Sequence, residues 1–362
     1  MSDSVRVLAL TRFGRLGASS RVRFMQYFDY LDNHGVSVDF CPLIDSDALR
    51  SRYAKGKYTK MHLIRAYGRR IADVLNAGSV DVLWVEKELM AWVPGVLEGL
   101  LLRRVPYVID YDDAVFHTYD LDPRPMVRGL LGPKIAQLMR RAAAVVVGNP
   151  YLADYARQAG AQHIRVVPSV VDLALDPPLS PFPKGRFTVG WVGSPSSGII
   201  LESLRPMLAT LLEDPEIELH LVGATEDTLA GLRRVILPWS EATQQGHIDR
   251  FHVGIMPLED TPWQRGKCGY KLIQYMGRAR PVVASPVGVN REIVQNGKTG
   301  YLATSSEEWA EAIAALRLDS ERAAAMGEAG YERVQARYSL EGNAPLVADV
   351  LRSASQRSSH RR

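Results

Sequence analysis

Cysteine is nearly missing from this chain: Cys41 and Cys268 are the two in 362 residues. Two thiols cannot build a disulfide framework or a cysteine-based zinc site, and their scarcity fits a reducing cytoplasm. Long apolar runs are missing as well. No stretch approaches the roughly 18 residues of a membrane span. The opening MSDSVRVLAL has no basic segment leading into a long apolar one, so neither secretion nor a transmembrane anchor is expected. The sequence also lacks a G-x-S-x-G elbow, an H-E-x-x-H pair, a G-x-x-x-x-G-K-[ST] loop and any clustered Cys/His set. Hydrolase, kinase and zinc-enzyme chemistries therefore lose their usual carriers.

Net charge is small, +4, but unevenly spread. Up to Lys184 there are 24 basic and 19 acidic residues (net +5), leaving 44 − 24 = 20 basic against 40 − 19 = 21 acidic (net −1). The basic excess concentrates in Arg50, Arg52, Lys55, Lys57, Lys60, Arg65, Arg69 and Arg70, with no acid between Arg50 and Arg70. Helical spacing across this stretch puts Met61, Ile64, Ile71 and Leu75 on one stripe. A solvated helix face and a surface for anionic lipid headgroups both fit it. Nucleic acid does not, because no basic–aromatic repeat accompanies the charge.

The composition, 46% hydrophobic over 362 residues, suits two domains with separate cores. Short β-branched runs alternate with helical stretches, as in parallel sheets built from βαβ crossovers. Strands are expected at Val5–Thr11, Val36–Cys41, Val82–Glu86, Tyr107–Asp110, Ala144–Gly148 and Ile164–Pro168, then at Phe187–Val192, Ile217–Val222, His252–Leu258 and Pro281–Ser285. Between the two sets, Pro168–Lys184 holds five prolines in seventeen residues, a composition that forbids a helix or central strand. The expected layout is an α/β chain with two Rossmann-like, doubly wound domains facing each other across a cleft. Residues 1–167 form the first domain, 168–186 a proline-rich linker, 187–335 the second domain and 336–354 a C-terminal helical segment, with the helical stretch Asp319–Ala354 broken near Gly342. A disordered tail is expected over 355–362.

Four loops in this layout are suited to an anionic ligand. In Thr11–Arg21 a strand leads into a loop with Gly14 and Gly17 and then a helix starting near Ser19 or Ser20; glycine lets a ligand approach the backbone and the helix start offers free N–H groups. A bare tight turn fits the loop as well, and the spacing is not that of a dinucleotide-binding G-x-G-x-x-G. In the second half, Gly193-Ser194-Pro195-Ser196-Ser197-Gly198 repeats the strand–loop–helix theme with hydroxyls and no cation. Arg265-Gly266-Lys267-Cys268-Gly269-Tyr270-Lys271 gathers three cations and two glycines just before a helix, a pattern suited to a diphosphate. Pro286–Glu292 adds a further loop and helix start after a buried strand.

Lys271-Leu272-Ile273-Gln274-Tyr275-Met276, followed by Arg280–Gly288 and by Gly297-Lys298-Thr299-Gly300-Tyr301-Leu302, resembles the donor-binding segment of family 4 glycosyltransferases of the GT-B fold. The early glycine loop, Val147–Ala153 and Pro168–Asp172 extend the resemblance over nearly the whole chain. It implies transfer of a hexosyl unit from a nucleotide diphosphate sugar to a hydroxyl, with retention of configuration and with neither metal nor cofactor; the basic Arg50–Arg70 stretch, able to face a membrane, makes a cell-surface glycan or lipid-linked acceptor the expected one. Polysaccharide biosynthesis in the cytoplasm, or peripherally at the inner membrane face through Arg50–Arg70, is the expected setting. The family's E-x7-E acids would fall at Gly266 and Gln274, and its Arg and Lys after the first strand of the second domain are replaced by Ser194–Ser197. Arg265, Lys267 and Lys271 are therefore expected to neutralise the phosphates. Gly17, Ser194, Ser196, Ser197, Gln274, Gly288, Val289 and Asn290 are expected to contact the donor, with Asp260 or backbone amides near Cys268–Tyr270 standing in for the acid missing at Gly266. Closure across the linker would exclude water.

On the first domain, Asp110–His117 packs four ionisable side chains into eight residues. Asp112 and Asp113 are candidate acceptor contacts, a turn role fits them equally, and Asp110-Tyr111-Asp112 matches the short D-x-D string of another glycosyltransferase architecture. His117 resembles the histidine that family members place beside the transferred sugar. Glu86 is a further acceptor candidate, although Glu86-Lys87-Glu88 also reads as an ion-pair cluster. A sugar-nucleotide epimerase of the same architecture and a non-catalytic nucleotide-sugar-binding protein are the rival functions.

Overall fold

The structure, a computed structural model, describes residues 4–55, 58–174 and 179–359. The chain folds as two compact units, one of Met1–Ser169 with Leu340–Arg362 and the other of Val170–Ser339. Each is a parallel six-stranded sheet with helical crossovers.

The first sheet consists of β1 (Val5–Phe13), β2 (Val36–Ile44), β3 (Val82–Glu86), β4 (Tyr107–Tyr111), β5 (Ala144–Val147) and β6 (Ile164–Val166), in the order β2-β1-β3-β4-β5-β6. Every residue of β3, β4 and β5 is buried, which is why these strands read as continuous apolar runs. The second sheet has β7 (Phe187–Val192), β8 (Ile217–Val222), β9 (Val235–Leu237), β10 (Val253–Met256), β11 (Val282–Ala284) and β12 (Gly300–Leu302), in the order β12-β11-β10-β7-β8-β9. The winding direction reverses between β1 and β3 and between β7 and β10. Loops leaving the carboxyl ends of the strands at such reversals form the usual ligand crevice of open α/β sheets.

At the reversal in the second sheet, Gly190 of β7 pairs with Gly254 of β10. A Cβ on Gly190 would sit 2.1 Å from the Phe251 ring, and one on Gly254 would sit 2.2 Å from the Tyr275 ring. Both glycines thus let an aromatic ring lie against the sheet. The Tyr275 hydroxyl reaches back to accept the Val192 N–H at 2.9 Å, fixing the last residue of β7.

His252, buried just before β10, accepts the Thr188 N–H on Nδ1 at 3.0 Å. Burial, and then the Arg280 charge, push its pKa down to about 4. Its folded pKa lies below the unfolded value, so the unfolded chain takes up the proton first. Stability from this group is therefore lost as the pH falls from about 6.5 to about 4, by about 3 kcal/mol at the end of that window. An NMR titration of the imidazole is expected to find it still neutral at pH 5 (a midpoint near an ordinary histidine value contradicts this).

Several boundaries differ from expectation. Val171, placed in the linker by its sequence, pairs with Ser339 and packs in the core of the second unit. The carbonyls of Ser180 and Pro181 accept from buried Arg280, so this end of the proline-rich segment is part of that unit too; 175–178 lie outside the described residues. The last helical stretch breaks at Tyr338–Ser339 rather than near Gly342. Its final helix, Leu340–Ser359, returns to the first unit and packs across β1 to β4 through Ala344, Val347, Ala348 and Leu351. Helix therefore covers 355–359, which the sequence assigns to a disordered tail, and 360–362 lie outside the described residues. The short edge strands β9 and β12 were not anticipated as strands.

Candidate active site

At the carboxyl end of β7 the chain enters a 3₁₀ run, Pro195–Leu204, rather than the α-helix expected there. Its serines bond chiefly to one another: the Ser197 hydroxyl accepts the Ser194 N–H at 3.0 Å and donates to the Ser194 carbonyl at 2.9 Å. The Ser194 hydroxyl lies 3.2 Å from those of both Ser196 and Ser197. This cluster brings hydroxyls and no cation to the switch point.

The cations come from the loop after β10. A short helix, Pro262–Arg265, is followed by Gly269 in the left-handed region (φ 64°) and then by the helix Tyr270–Gly277. Lys271, in its first turn, holds its ammonium 5.5 Å from the centre of the Trp191 ring on β7, and Lys267 holds its own 6.0 Å from the Trp263 ring. Two indole faces thus position two lysines. Arg265 differs: its guanidinium forms a two-pronged pair with Asp260, Nε–Oδ1 2.6 Å and Nη2–Oδ2 3.2 Å. That pair holds the Asp260 carboxyl below its ordinary range. Expected as a phosphate ligand, Arg265 already has a carboxylate partner, and Asp260, the expected sugar contact, already has a guanidinium one.

The loop after β11 closes on the same place. Gly288 has φ 53°, and a Cβ there would sit 2.6 Å from the Arg265 carbonyl oxygen, so only glycine allows the two loops to touch. Asn290 is buried and donates to the Ser285 carbonyl at 3.1 Å, while Val289 begins the turn into Asn290–Ile293. Gln274 is buried as well, and its Nε2 donates to Gln244 Oε1 at 3.0 Å. The second unit thus brings Ser194, Ser196, Ser197, Lys267, Lys271, Gln274, Gly288, Val289 and Asn290 to one end of its sheet.

In the first unit, the loop after β1 is drawn tight at Gly17, where a Cβ would sit 2.3 Å from the Phe13 Cβ. The helix begins at Ala18, with Gly17 at its cap, ahead of the start expected near Ser19 or Ser20. Glu86 does not face outward as an acceptor contact would. It is buried, and its Oε2 accepts the Arg12 N–H at 2.7 Å and the Ser20 hydroxyl at 2.6 Å, which ties the β1 loop to the end of β3. Burial pushes its pKa up despite the neighbouring Lys87.

Lys87 is the residue that sequence reasoning missed. It follows β3 with φ 62°, a conformation that costs a side-chain-bearing residue and clusters at functional sites. Its buried ammonium meets Asp112 Oδ1 at 2.8 Å, Asp113 Oδ2 at 3.0 Å and the Ser19 hydroxyl at 3.2 Å. Burial alone would lower its pKa; Asp112 and Asp113 more than reverse this. Asp110 is answered just as fully, with Arg23 Nε–Oδ1 at 2.8 Å and Nη2–Oδ2 at 3.2 Å. Both acids of the D-x-D string are thus committed to protein cations. His117 is set between Asp120 Oδ1, 2.8 Å from Nδ1, and the Tyr151 hydroxyl, 2.8 Å from Nε2. The ring is thus oriented by a carboxylate at one nitrogen and a phenol at the other.

Residues 4–169 match the family described as glycosyl transferase 4-like domain, and residues 186–319 match glycosyl transferases group 1. The chain belongs to the group 1 glycosyltransferases. Solved GT-B structures share the fold of this glycosyltransferase. Sucrose-phosphate synthase from Thermosynechococcus elongatus is similar at 17% identity and a TM-score of 0.71, covering 96% of this chain and 98% of that one. Alr3699/HepE of Anabaena, solved in complex with UDP and glucose, is similar at 16% identity and a TM-score of 0.69, covering 96% and 100%. A GDP-mannose-dependent alpha-(1-6)-phosphatidylinositol monomannoside mannosyltransferase of Mycobacterium tuberculosis is 42% identical over 74 residues, a span of 20% of this chain and 19% of that protein. No helix among the described residues of the glycosyltransferase is long and apolar enough to cross a membrane.

Proposed function

We propose that this glycosyltransferase moves a hexosyl unit, with retention and without a metal, from a nucleoside diphosphate sugar to a hydroxyl of a cell-surface glycan or lipid-linked acceptor. The observation that carries the donor assignment is the placement of Lys267 and Lys271, held over indole rings beside a helix start, at the switch point of the second sheet. As the bond from the sugar to the diphosphate breaks, negative charge grows on the β-phosphate. Lys271 and the amides of the first helical turn would meet that charge, and Lys267 would add a second cation. The serine cluster would bond phosphate oxygens, and the Gln274 carbonyl oxygen would accept from a ribose hydroxyl while Gln244 holds its other end. UDP in the Anabaena structure and GDP-mannose in the name of the mycobacterial enzyme support a nucleotide sugar as the donor class.

On the acceptor side, Asp112 and Asp113 are half-shielded carboxylates steadied by Lys87, suited to hydroxyl donors of a glycan. His117 Nε2 with the Tyr151 hydroxyl is the polar pair assigned to the transferred sugar. Gly266, standing where the family places an acid, favours a second reading in which donor is bound but not turned over. Release of nucleoside diphosphate in the presence of acceptor separates the two.

Thermal melting with UDP, GDP and their sugars tests the donor class directly. A ligand at 100 times its dissociation constant adds about 2.7 kcal/mol, worth about 5–10 °C for a unit of this size. One nucleoside diphosphate is expected to give that shift; no shift with any of them overturns the assignment.

A further inference from the structure

The helix Lys60–Leu75 is packed the opposite way from what its apolar stripe would dictate. Its inward residues are Ala66, Arg70 and Val74, and Arg70 donates from the interior to the Thr11 carbonyl at 2.5 Å. The stripe of Met61, Ile64, Ile71 and Leu75 points to solvent instead, with Ile64 65% and Met61 57% exposed. On a helix of 3.6 residues per turn, Lys60 borders this stripe on one side and Arg65 on the other, while Asp73 falls on a different face.

The next helix, Gly95–Leu101, lies beside it and shows the same inversion. Gly95 and Gly99 press against the helix Lys134–Arg141, leaving Val96, Leu97 and Leu100 each just over half exposed. Between the two, the Tyr67 hydroxyl donates to the Ala91 carbonyl at 2.8 Å. There Trp92 takes φ 62°, an outlier for so bulky a residue, and is held half exposed by its N–H bond to the Tyr119 hydroxyl. The Arg124 guanidinium sits 5.4 Å from the Trp92 ring. Exposed Arg103 and Arg104 follow directly after the second helix. The acids nearby are already answered: Glu98 is buried against Lys134, and Asp122 is paired with Arg124.

We infer that this face of the first unit, the outward stripe of Lys60–Leu75 with Trp92 and the outer side of Gly95–Leu101, docks on an anionic lipid bilayer. Apolar side chains enter the acyl boundary, an indole sits at headgroup level, and a one-signed basic rim meets lipid phosphates. A second copy of the chain is the poorer occupant, because two-fold pairing would set Lys60, Arg65, Arg103 and Arg104 near their own equivalents. Only part of the charged run at Arg50–Arg70 serves the surface: Lys60 and Arg65 border it, whereas Arg70 is inside, Arg69 donates to the Pro42 and Leu43 carbonyls, and Arg50 faces Asp47. Lys57 and the side chains of Arg52 and Lys55 lie outside the described residues. The inference goes beyond the transfer reaction and does not depend on it.

Co-sedimentation of the full chain with vesicles, without donor or acceptor, is the test. Binding to phosphatidylcholine vesicles carrying about 30% phosphatidylglycerol is expected to exceed binding to pure phosphatidylcholine at least tenfold at low salt, and to weaken at about 0.5 M salt. Ile64→Glu with Leu97→Glu is expected to cut it at least tenfold, and Lys60→Glu with Arg65→Glu to remove the preference for anionic lipid. Both pairs alter exposed residues, so melting temperatures should stay near that of the parent protein. No sedimentation at low salt, parent-level binding by both double variants, or a dimer in solution that Ile64→Glu with Leu97→Glu abolishes would each overturn the proposal. Because neither substrate is present, failure here leaves donor binding and transfer to stand or fall on their own assays.

Discussion

Lys271→Ala is expected to slow transfer at saturating donor about 100-fold, equal to about 2.7 kcal/mol of lost transition-state stabilisation. The size follows from where the charge sits. The Lys271 ammonium is held 5.5 Å from the Trp191 ring centre, on the first turn of a helix whose amides point the same way. A donor so fixed need not reorganise as the diphosphate leaves, so its effect falls mainly on the chemical step. The donor KM should move much less than kcat, the pattern of an interaction made chiefly in the transition state. Arg265→Ala supplies the internal control. Asp260 already answers that guanidinium at the surface, so its loss is expected to cost less than about 10-fold. Equal losses at the two positions, or near-normal turnover of purified Lys271→Ala, would show that the diphosphate is gripped elsewhere.

The lysine cluster was legible because its members lie within seven residues of one another and a helix start follows at once. The buried strands were legible for a similar reason: β5 spells Ala-Val-Val-Val, and burial on both faces leaves little else it can be. What escaped was decided by partners distant in the chain. Lys87 reads as one member of a charged triplet, and only the return of β4 beside β3 brings Asp112 and Asp113 to its ammonium. Glu86 reads as a surface acid by its neighbours, yet register places it under Ser20 and the Arg12 amide. The apolar stripe of Lys60–Leu75 was visible while its direction was not, because the helix has a second apolar face, Leu63, Ala66 and Tyr67, that packs with Leu43, Ile44 and Leu49 while Arg70 meets the Thr11 carbonyl. The edge strands β9 and β12 are three residues each and only partly buried, unlike the fully buried β11 of the same length. The destination of the last helix was hidden as well, since an amphipathic pattern shows that a helix is covered but not by which sheet.

Lys134→Met is expected to destabilise the first unit by about 3–5 kcal/mol, the cost of stranding buried charge. Lys134 is fully buried, and its ammonium is 2.7 Å from Glu88 Oε2, 2.9 Å from Glu98 Oε1 and 2.8 Å from the Met90 carbonyl. Arg12 approaches the other oxygen of Glu88 only at 4.0 Å, so one lysine answers most of two carboxylates. Those carboxylates shape the loop after β3: Glu98 accepts the Leu89 and Met90 N–H groups, and Glu88 accepts the Tyr119 hydroxyl. Burial pushes Glu98 up to about 7 even with Lys134 opposing it. Without the lysine it rises further, so the folded variant holds a proton that the unfolded chain has released. Folded pKa above unfolded pKa means that stability falls as the pH rises through that window and returns on acidification. The melting deficit of Lys134→Met relative to the parent protein should accordingly be larger at pH 8 than at pH 5.5. Adding Glu98→Gln, which removes one of the stranded charges, should recover part of it at pH 8 and little at pH 5.5. A deficit below about 1 kcal/mol, or one indifferent to pH, would mean that water reaches this network and that the loop carrying Lys87 and Trp92 is held by its packing alone.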